Sequence, residues 1–460
     1  MTHVQELARF VTGAELDDLS DGALEQLKIR VLDSLGCAIG AVEGEPVRAV
    51  RAGIEEAGET GSCTLIGGGL GAPDRAAFYN GALVRYLDFN DSYLAPGETC
   101  HPSDNLGAVL ACAEYAGGSG RDFLAALAAA YQVQCRLSDV APVRDRGFDH
   151  ATQGAFSTAA GAARALGLDA ERTANALAIS GTANVALRVT RTGTLSNWKG
   201  LAMPDTGRNG VHAALLARRG ITGPPEVFEG NKGWRWSVSG EWELDWSAED
   251  LERVTRTDLK KYNAEIHSQS SVEGALELAR EHDLEAADIE RVDLEVFDVA
   301  FDIIGGGEEG GKKEGIRTKE QADHSLPYIV AVALLDGGVY PEQYRPERIR
   351  ADDVQDLLRR VEVHRSEEYS RRFPEEHACR VTITTRGGDE YETEKTAYEG
   401  FHSMPMSWET VERKFARLSG PYAGDALRDR IVETVRGLED ADLADLTGAL
   451  SRVEIPEPEG

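Results

Sequence analysis

The sequence predicts a mainly α-helical fold interrupted by a smaller α+β insert. Three observations carry that prediction. Apolar residues recur at helical spacing through the first two-thirds of the chain. A period-two alternation begins after about residue 285. Helical spacing returns at Trp408 and continues almost to the end. The chain has 460 residues, and at about 100–200 residues per domain more than one domain is expected. The expected division is a large helical domain over residues 1–265, an α+β domain over 266–405, and a return to the helical domain over 406–460.

Leu24, Leu27, Val31, Leu35 and Ile39 share one helix face, as do Phe123, Leu127, Tyr131 and Cys135. Residues 154–166 are mostly Ala, Gly, Ser and Thr. Small side chains let helix axes approach closely, so this segment is expected as a buried helix ended by Gly167. A further helix is expected over 206–219, closed by Gly220. Residues 231–246 are rich in Trp and Gly and read as irregular. Val292, Leu294 and Val296 alternate like a strand, and Val361 with Val363 repeats the pattern. Val381, Ile383 and Thr385 lead through Gly387-Gly388 to Tyr391 and Thr393, which reads as a hairpin. Residues 329–335 read as a helix between these strands. The glycine-rich run 305–313 reads as a flexible loop and, extended to Gly315, as the edge of a lid. It lacks the strand–turn–helix context of a dinucleotide site. Trp408, Val411 and Phe415, then Leu427, Ile431 and Val435, mark the returning helices, and the tail from Pro456 reads as frayed.

Composition narrows the function. Hydrophobic residues make up 42% of the chain, ample for a core, and no run approaches the roughly 18 apolar residues of a membrane span. His3 and Glu6 stand where a secretory leader would be basic, so a cytoplasmic protein is expected. Asp and Glu total 79 against 49 Lys and Arg, a formal charge of −30. Nucleic acids and anionic membranes need a basic footprint that this chain lacks. Six cysteines occur without a C-x-x-C pair, which argues against zinc ribbons, thioredoxin motifs and common iron–sulfur spacings. G-x-S-x-G, H-E-x-x-H, a Walker loop and a post-strand G-x-G-x-x-G are all absent. What remains is acid–base chemistry on a small anion, with no metal or cofactor expected.

Three segments hold candidate groups. The first runs from Leu87-Asp88-Phe89-Asn90-Asp91-Ser92 to His101-Pro102-Ser103-Asp104-Asn105 and reads as a loop opening a helix. Capping accounts for Ser103 or Asp104, but not for His101 or the paired aspartates. The second spans Arg191 to Lys199 and reaches Arg208, placing three cations near a helix start. A solvated charged turn or a binding spot for a small anion would each produce it. The third is Leu259-Lys260-Lys261-Tyr262-Asn263-Ala264-Glu265-Ile266-His267-Ser268. A capped helix start with His267 as an ordinary polar residue is one reading. The other is a dry cleft in which adjacent lysines depress each other's pKa, so that one serves as a base. His150 stands before the small-residue helix and His324 before the helix of the insert. His282, His364 and His377 are assigned to the surface, and His212, His324 and His402 are left between core and capping roles.

These segments resemble the MmgE/PrpD family. The resemblance rests on L-D-F-N-D-S with H-P-S-D-N-L, on A-E-I-H-S-Q, on residues 323–337 (DHSLPYIVAVALLDG), and on the opening D-S-L-G-C-A-I-G at 33–40. It covers nearly the whole chain. It implies a large all-helical domain, a smaller α+β lid domain, a homodimer, and elimination of water from a citrate-like tricarboxylate without a cofactor. Family roles fall on Asp88, Ser92, His101, His150, Lys199 and Lys260 as catalytic residues. Ser92 stands where many relatives have Thr, and Ala202 where many have His. Asp91, Arg208, His267 and Tyr328 are candidate substrate contacts, with Arg208 suited to clamping a carboxylate. A base would remove a proton α to a carboxylate while an acid protonates the leaving hydroxyl, with Lys199, Lys260 and the histidines stabilising the developing charge. Decarboxylation of cis-aconitate, epimerisation of a small dicarboxylate, tricarboxylate binding without turnover, and a helical scaffold are the alternatives.

Of the basic residues, ten are Lys and 39 are Arg. High acid content with little Lys suits concentrated salt, where the Debye length falls to roughly 3 Å and self-repulsion is screened. Thermal stability is expected to rise with KCl concentration. Equal melting temperatures in dilute and molar KCl would refute adaptation to salt.

Overall fold

The computed structural model describes residues 1–58, 60–307 and 315–456. The core of the glycine-rich loop and the end of the tail, including most of the expected lid edge, lie outside the described residues. The chain divides into two compact units. The first comprises residues 1–190, 198–257 and 407–460, and the second comprises 191–197 and 258–406. The expected first boundary at 265/266 falls instead at 257/258, so Lys260 and its neighbours belong wholly to the second unit. The C-terminal helices Trp408–Ser419 and Asp425–Arg436 rejoin the first unit.

The first unit is helical. Ser20 caps the helix Asp21–Gly40 by accepting the Ala23 N–H, and the apolar row from Leu27 to Ile39 is buried. Ser119 and Asp122 form a capping box on the helix Gly120–Val140, which buries Phe123, Leu127, Tyr131 and Cys135. The small-residue segment is the buried helix Ala151–Ala165, and Gly167 follows it at φ +65°. A Cβ on Gly161 would lie 2.6 Å from Val109 Cγ2 and 3.0 Å from Ala130 Cβ. The close approach expected from the small side chains is therefore real.

Two segments differ from the sequence reading. The helix expected over 206–219 runs from Trp198 to Arg218 and takes in Pro204. Gly200, Pro204 and Gly207 break the helical pattern locally, but this helix is held by packing against its neighbours Pro73–Tyr86 and Ala151–Ala165. Lys199 consequently sits in its first turn rather than ahead of it. Between the two polar runs of the first motif the chain forms a short hairpin, Tyr93–Ala95 with Glu98–Cys100, rather than loop throughout. Pro96-Gly97 makes its turn, with Gly97 at φ +80°. Three-residue strands are too short to show alternation in sequence. The irregular stretch near 231–246 buries Trp234, Trp242 and Trp246 beside Phe156 and Phe228, under the N-terminal helix His3–Gly13.

The second unit carries a four-stranded sheet in the order Val361–Arg365, Ile289–Val296, Cys379–Thr385, Glu390–Lys395. The first pair is parallel and the others are antiparallel. Val292, Leu294 and Val296 turn to one face, and Val381 with Ile383 lies beside them. That face packs on the helices Gln269–Glu281 and Leu326–Asp336 through Val272, Ala275, Ile329 and Val332. No helix among the described residues is long and apolar enough to cross a membrane.

Helix crossings without side chains lie close to the polar motifs, and at Gly107 the near neighbours are backbone atoms. A Cβ there would lie 2.5 Å from the backbone nitrogen of Gly81 and 2.9 Å from Ala77 O. Gly53, also helical, has nothing within 4 Å of such a Cβ. Helix propensity favours alanine at both positions by about 1 kcal/mol. Gly53→Ala is therefore expected to raise stability slightly, whereas Gly107→Ala should lose about 1–3 kcal/mol through overpacking. Chemical denaturation of the two variants checks the difference in sign.

Candidate active site

In the first unit the helix Pro73–Tyr86 ends at Leu87, and Asp88 follows in the left-handed region at φ +55°. Aspartate is among the few residues with a Cβ that adopt this conformation readily. The carboxylate lies between two cations. Asp88 Oδ1 accepts from Arg85 Nη1 at 2.7 Å, and Asp88 Oδ2 lies 3.3 Å from Lys199 Nζ. Arg85 Nε faces Asp104 Oδ2 at 3.7 Å. All four side chains are buried. Buried ions are costly unless paired, so this alternation of charge is what permits the cluster.

The hairpin brings His101 back to Arg85. His101 Nε2 lies 3.2 Å from Arg85 Nη2, and Nδ1 lies 2.7 Å from Asp91 O and 3.1 Å from Ser92 Oγ. Asp91 accepts from Ser103 N, Ser103 Oγ and Tyr131 OH. Burial raises the Asp91 carboxyl above its ordinary range, and these bonds oppose that shift. Fully enclosed, Asp91 ties the two halves of the motif together instead of facing a substrate as expected. Asn90 donates to Ser103 Oγ and Asp104 Oδ1, adding a second tie.

His150 is buried at the start of the helix Ala151–Ala165. Its ring stands edge-on to His101 with 5.3 Å between centroids. Asp149, not His150, accepts the Ala151 N–H, leaving the imidazole beside His101. Asp88, Ser92, His101, His150 and Lys199 thus gather in one unit. The motif is braced from behind by Lys414, whose ammonium donates to Phe89 O, pairs with Asp33 at 2.7 Å and lies 3.7 Å from the Phe89 ring centre.

Arg208 is placed differently. It pairs with Asp205 at 2.7 Å on its own helix, lies over Phe78, and is partly exposed. A carboxylate clamp would have to compete with that internal partner. Sequence reasoning also missed Arg85, Asp104, Asp149 and Lys414. Arg85 had a local signal, since a cation in a last helical turn stands three residues before Asp88. Lys414 had none, because its partners are more than three hundred residues away in the chain.

The second unit has its own buried polar group. Lys260 and His267 are buried, and His267 Nδ1 lies 2.7 Å from Glu265 Oε1. Burial alone would raise the Glu265 carboxyl, but His267, His324 and Lys260 outweigh it and hold it at about 2. The idea that adjacent lysines depress each other fails for Lys261. Burial disfavours its ammonium, yet Glu273, Tyr262 and Glu399 raise its pKa above the ordinary lysine value. Tyr328 donates its hydroxyl to Gln343 O, and burial raises its pKa. That hydroxyl is engaged with the backbone of a turn, so a substrate contact would have to compete with it. His324 pairs with Asp323 at 2.7 Å. His402 is half-buried and pairs with Asp258, whereas His212 is exposed. His282 and His364 are on the surface as expected, but His377 is buried with Nδ1 2.8 Å from Ser270 Oγ. Its place at a strand entrance beside Phe297, Tyr398 and Phe401 comes from long-range pairing, which a lone histidine in sequence does not reveal.

The sequence matches the MmgE/PrpD N-terminal domain over residues 5–247 and the MmgE/PrpD C-terminal domain over residues 262–440. It is 30% identical to 2-methylcitrate dehydratase of Escherichia coli K12, across 72% of this chain and 70% of that protein. It is 27% identical to an alkylcitrate dehydratase of a fungal species, across 85% and 83% of the two chains. Mouse cis-aconitate decarboxylase is 25% identical, across 95% and 92%.

The second unit's buried groups set an acid limit on stability. Burial, aided by neighbouring His267, pushes His377 down from 6.5 to about 3. Between those values the unfolded chain binds the extra proton, so stability falls as pH drops through the window. Glu265 acts in the same direction lower down. Its contribution is complete above 4.5 and is lost as pH falls towards about 2. The melting temperature is expected to fall steadily below about pH 6.5. His377→Gln should flatten the upper part of that fall, and an unchanged profile would rule out His377 as its source.

Proposed function

The chain belongs to the MmgE/PrpD family, and on that premise we propose that it is a hydro-lyase removing water from 2-methylcitrate or a closely related citrate-like tricarboxylate. The observation that carries this reading is the buried set of Arg85, Asp88, His101, His150 and Lys199 in the first unit. Dehydration needs a base for the proton α to a carboxylate and an acid for the departing hydroxyl. Two imidazoles with ring centres 5.3 Å apart supply that pair of roles. Charge developing on the substrate carboxylate needs a cation already in place, and Lys199 meets that need. With Asp88 and Asp104 beside the two cations Arg85 and Lys199, the cluster is balanced rather than acidic, unlike a chain of net charge −30, which lessens the repulsion a trianionic substrate meets.

Resemblance to the mouse decarboxylase along 95% of this chain favours decarboxylation of cis-aconitate as the second reading. Product analysis by NMR with 2-methylcitrate, citrate and cis-aconitate separates the two. An unsaturated tricarboxylate formed from the hydroxy acid supports dehydration, whereas loss of carbon dioxide from cis-aconitate supports decarboxylation.

His101→Ala and Lys199→Ala are each expected to lower kcat by about 100-fold or more, which is about 3 kcal/mol of barrier. Absorbance of the enoate product provides the assay. Near-normal turnover in both variants would remove these residues from the mechanism.

A further inference from the structure

The partners of His101 specify the form of its ring. Nδ1 lies 2.7 Å from the backbone oxygen of Asp91. A carbonyl oxygen only accepts, so Nδ1 carries the hydrogen. On the other side of the ring, Nε2 lies 3.2 Å from Arg85 Nη2. A guanidinium only donates, so Nε2 must present its lone pair. Ser92 Oγ, 3.1 Å from Nδ1, is a hydroxyl and can accept from that hydrogen as well. One form of the ring satisfies these three contacts: neutral, with its hydrogen on Nδ1 and a lone pair at Nε2.

Arg85 is itself held firmly. Nη1 pairs with Asp88 Oδ1 at 2.7 Å, Nε faces Asp104 Oδ2 at 3.7 Å, and the side chain is only 3% exposed. Moving it would strand buried charge. In this unit Arg85 touches the ring and His150 stands edge-on to it, while Asp88 and Asp104 pair with Arg85 and Asp88 also meets Lys199. Without the guanidinium, Asp88 and Asp104 would lose a cation they share and Nε2 would lose its donor, which favours a second proton on His101.

We propose that Arg85 is a positioning residue for His101, holding the imidazole neutral with its hydrogen on Nδ1 and its one lone pair at Nε2. The proposal rests on the dehydratase reading for the use made of that base, not for the state of the ring. Nε2 has one lone pair, so the substrate C–H must take the place of the Arg85 N–H before the transfer; the C–H bond α to the carboxylate then breaks, its electron pair stays with the substrate, and the proton bonds to Nε2. An Nε2–H then faces an Arg85 N–H. That repulsion keeps the imidazolium short-lived and favours passing the proton on, so the ring returns to its starting form.

The test is ¹⁵N NMR of the histidine rings in the full-length protein, with His101 assigned by its loss in His101→Ala. Wild type should show one protonated nitrogen and one unprotonated nitrogen, at Nδ1 and Nε2 respectively. In Arg85→Met, under the same buffer, Nε2 should gain a proton. kcat with 2-methylcitrate should fall by about tenfold or more while KM changes by less than about threefold. Arg85→Lys, which restores a donor, should recover the unprotonated Nε2 and part of the turnover. An unchanged His101 spectrum in Arg85→Met would overturn the proposal. So would a wild-type ring protonated at Nε2, and that measurement decides even if Arg85→Met does not fold. A wild type that shows the expected ring signals but turns over no tricarboxylate would refute the dehydratase reading and leave the positioning role standing.

Discussion

Helix Pro73–Tyr86 meets its neighbours at Gly81, and the candidate-site cluster depends on how close that meeting is. On one side Gly81 abuts Gly107, where a side chain would strike the backbone. On the other it faces Pro204 of the helix Trp198–Arg218. Near this junction, in sequence, lie the chemically important residues. Arg85 is one turn beyond Gly81, His101 to Asn105 lead into the Gly107 helix, and Lys199 opens the Pro204 helix. Because interiors are close-packed, a shift of one helix would be passed directly to these side chains. An ion pair at 2.7 Å and another at 3.3 Å leave little tolerance for such a shift.

The charges placed there are expensive to bury. Arg85, Asp88, Asp104 and Lys199 are nearly excluded from water, and replacing such groups by apolar ones is often neutral or stabilising. Stability alone gives no reason for their presence, and groups so placed mark a candidate functional site. The surrounding architecture serves the same end. Asp91 and Asn90 lock the motif to Ser103 and Asp104, and Lys414 holds Phe89 O from the returning C-terminal helix. The return of the chain to the first unit therefore has a local purpose, since it supplies the cation that braces the loop next to Asp88.

Much of the fold was legible because it depends on local periodicity. The rows Leu27–Ile39 and Phe123–Cys135, the small-residue helix and the alternating strands all appear as read. What was misread has a common cause. The start of the helix at Trp198, the three-residue hairpin strands and the burial of His377 are decided by neighbours distant in sequence. Local propensity is a weak prior wherever tertiary packing supplies most of the free energy.

The same division holds for the candidate site. The sequence by itself determined which chemical groups are available, because the motifs name Asp88, Ser92, His101, His150 and Lys199 by type and order. It also determined the class of element that carries each, through spacing and punctuation. Only the tertiary structure decided which groups share charge and protons. It enclosed Asp91, gave Arg208 a partner on its own helix, tied Tyr328 to a backbone carbonyl, and placed Arg85 against both Asp88 and His101. The reason is physical: hydrogen bonds and ion pairs act over about 3–4 Å between groups that may be far apart along the chain, and only packing brings them within that range.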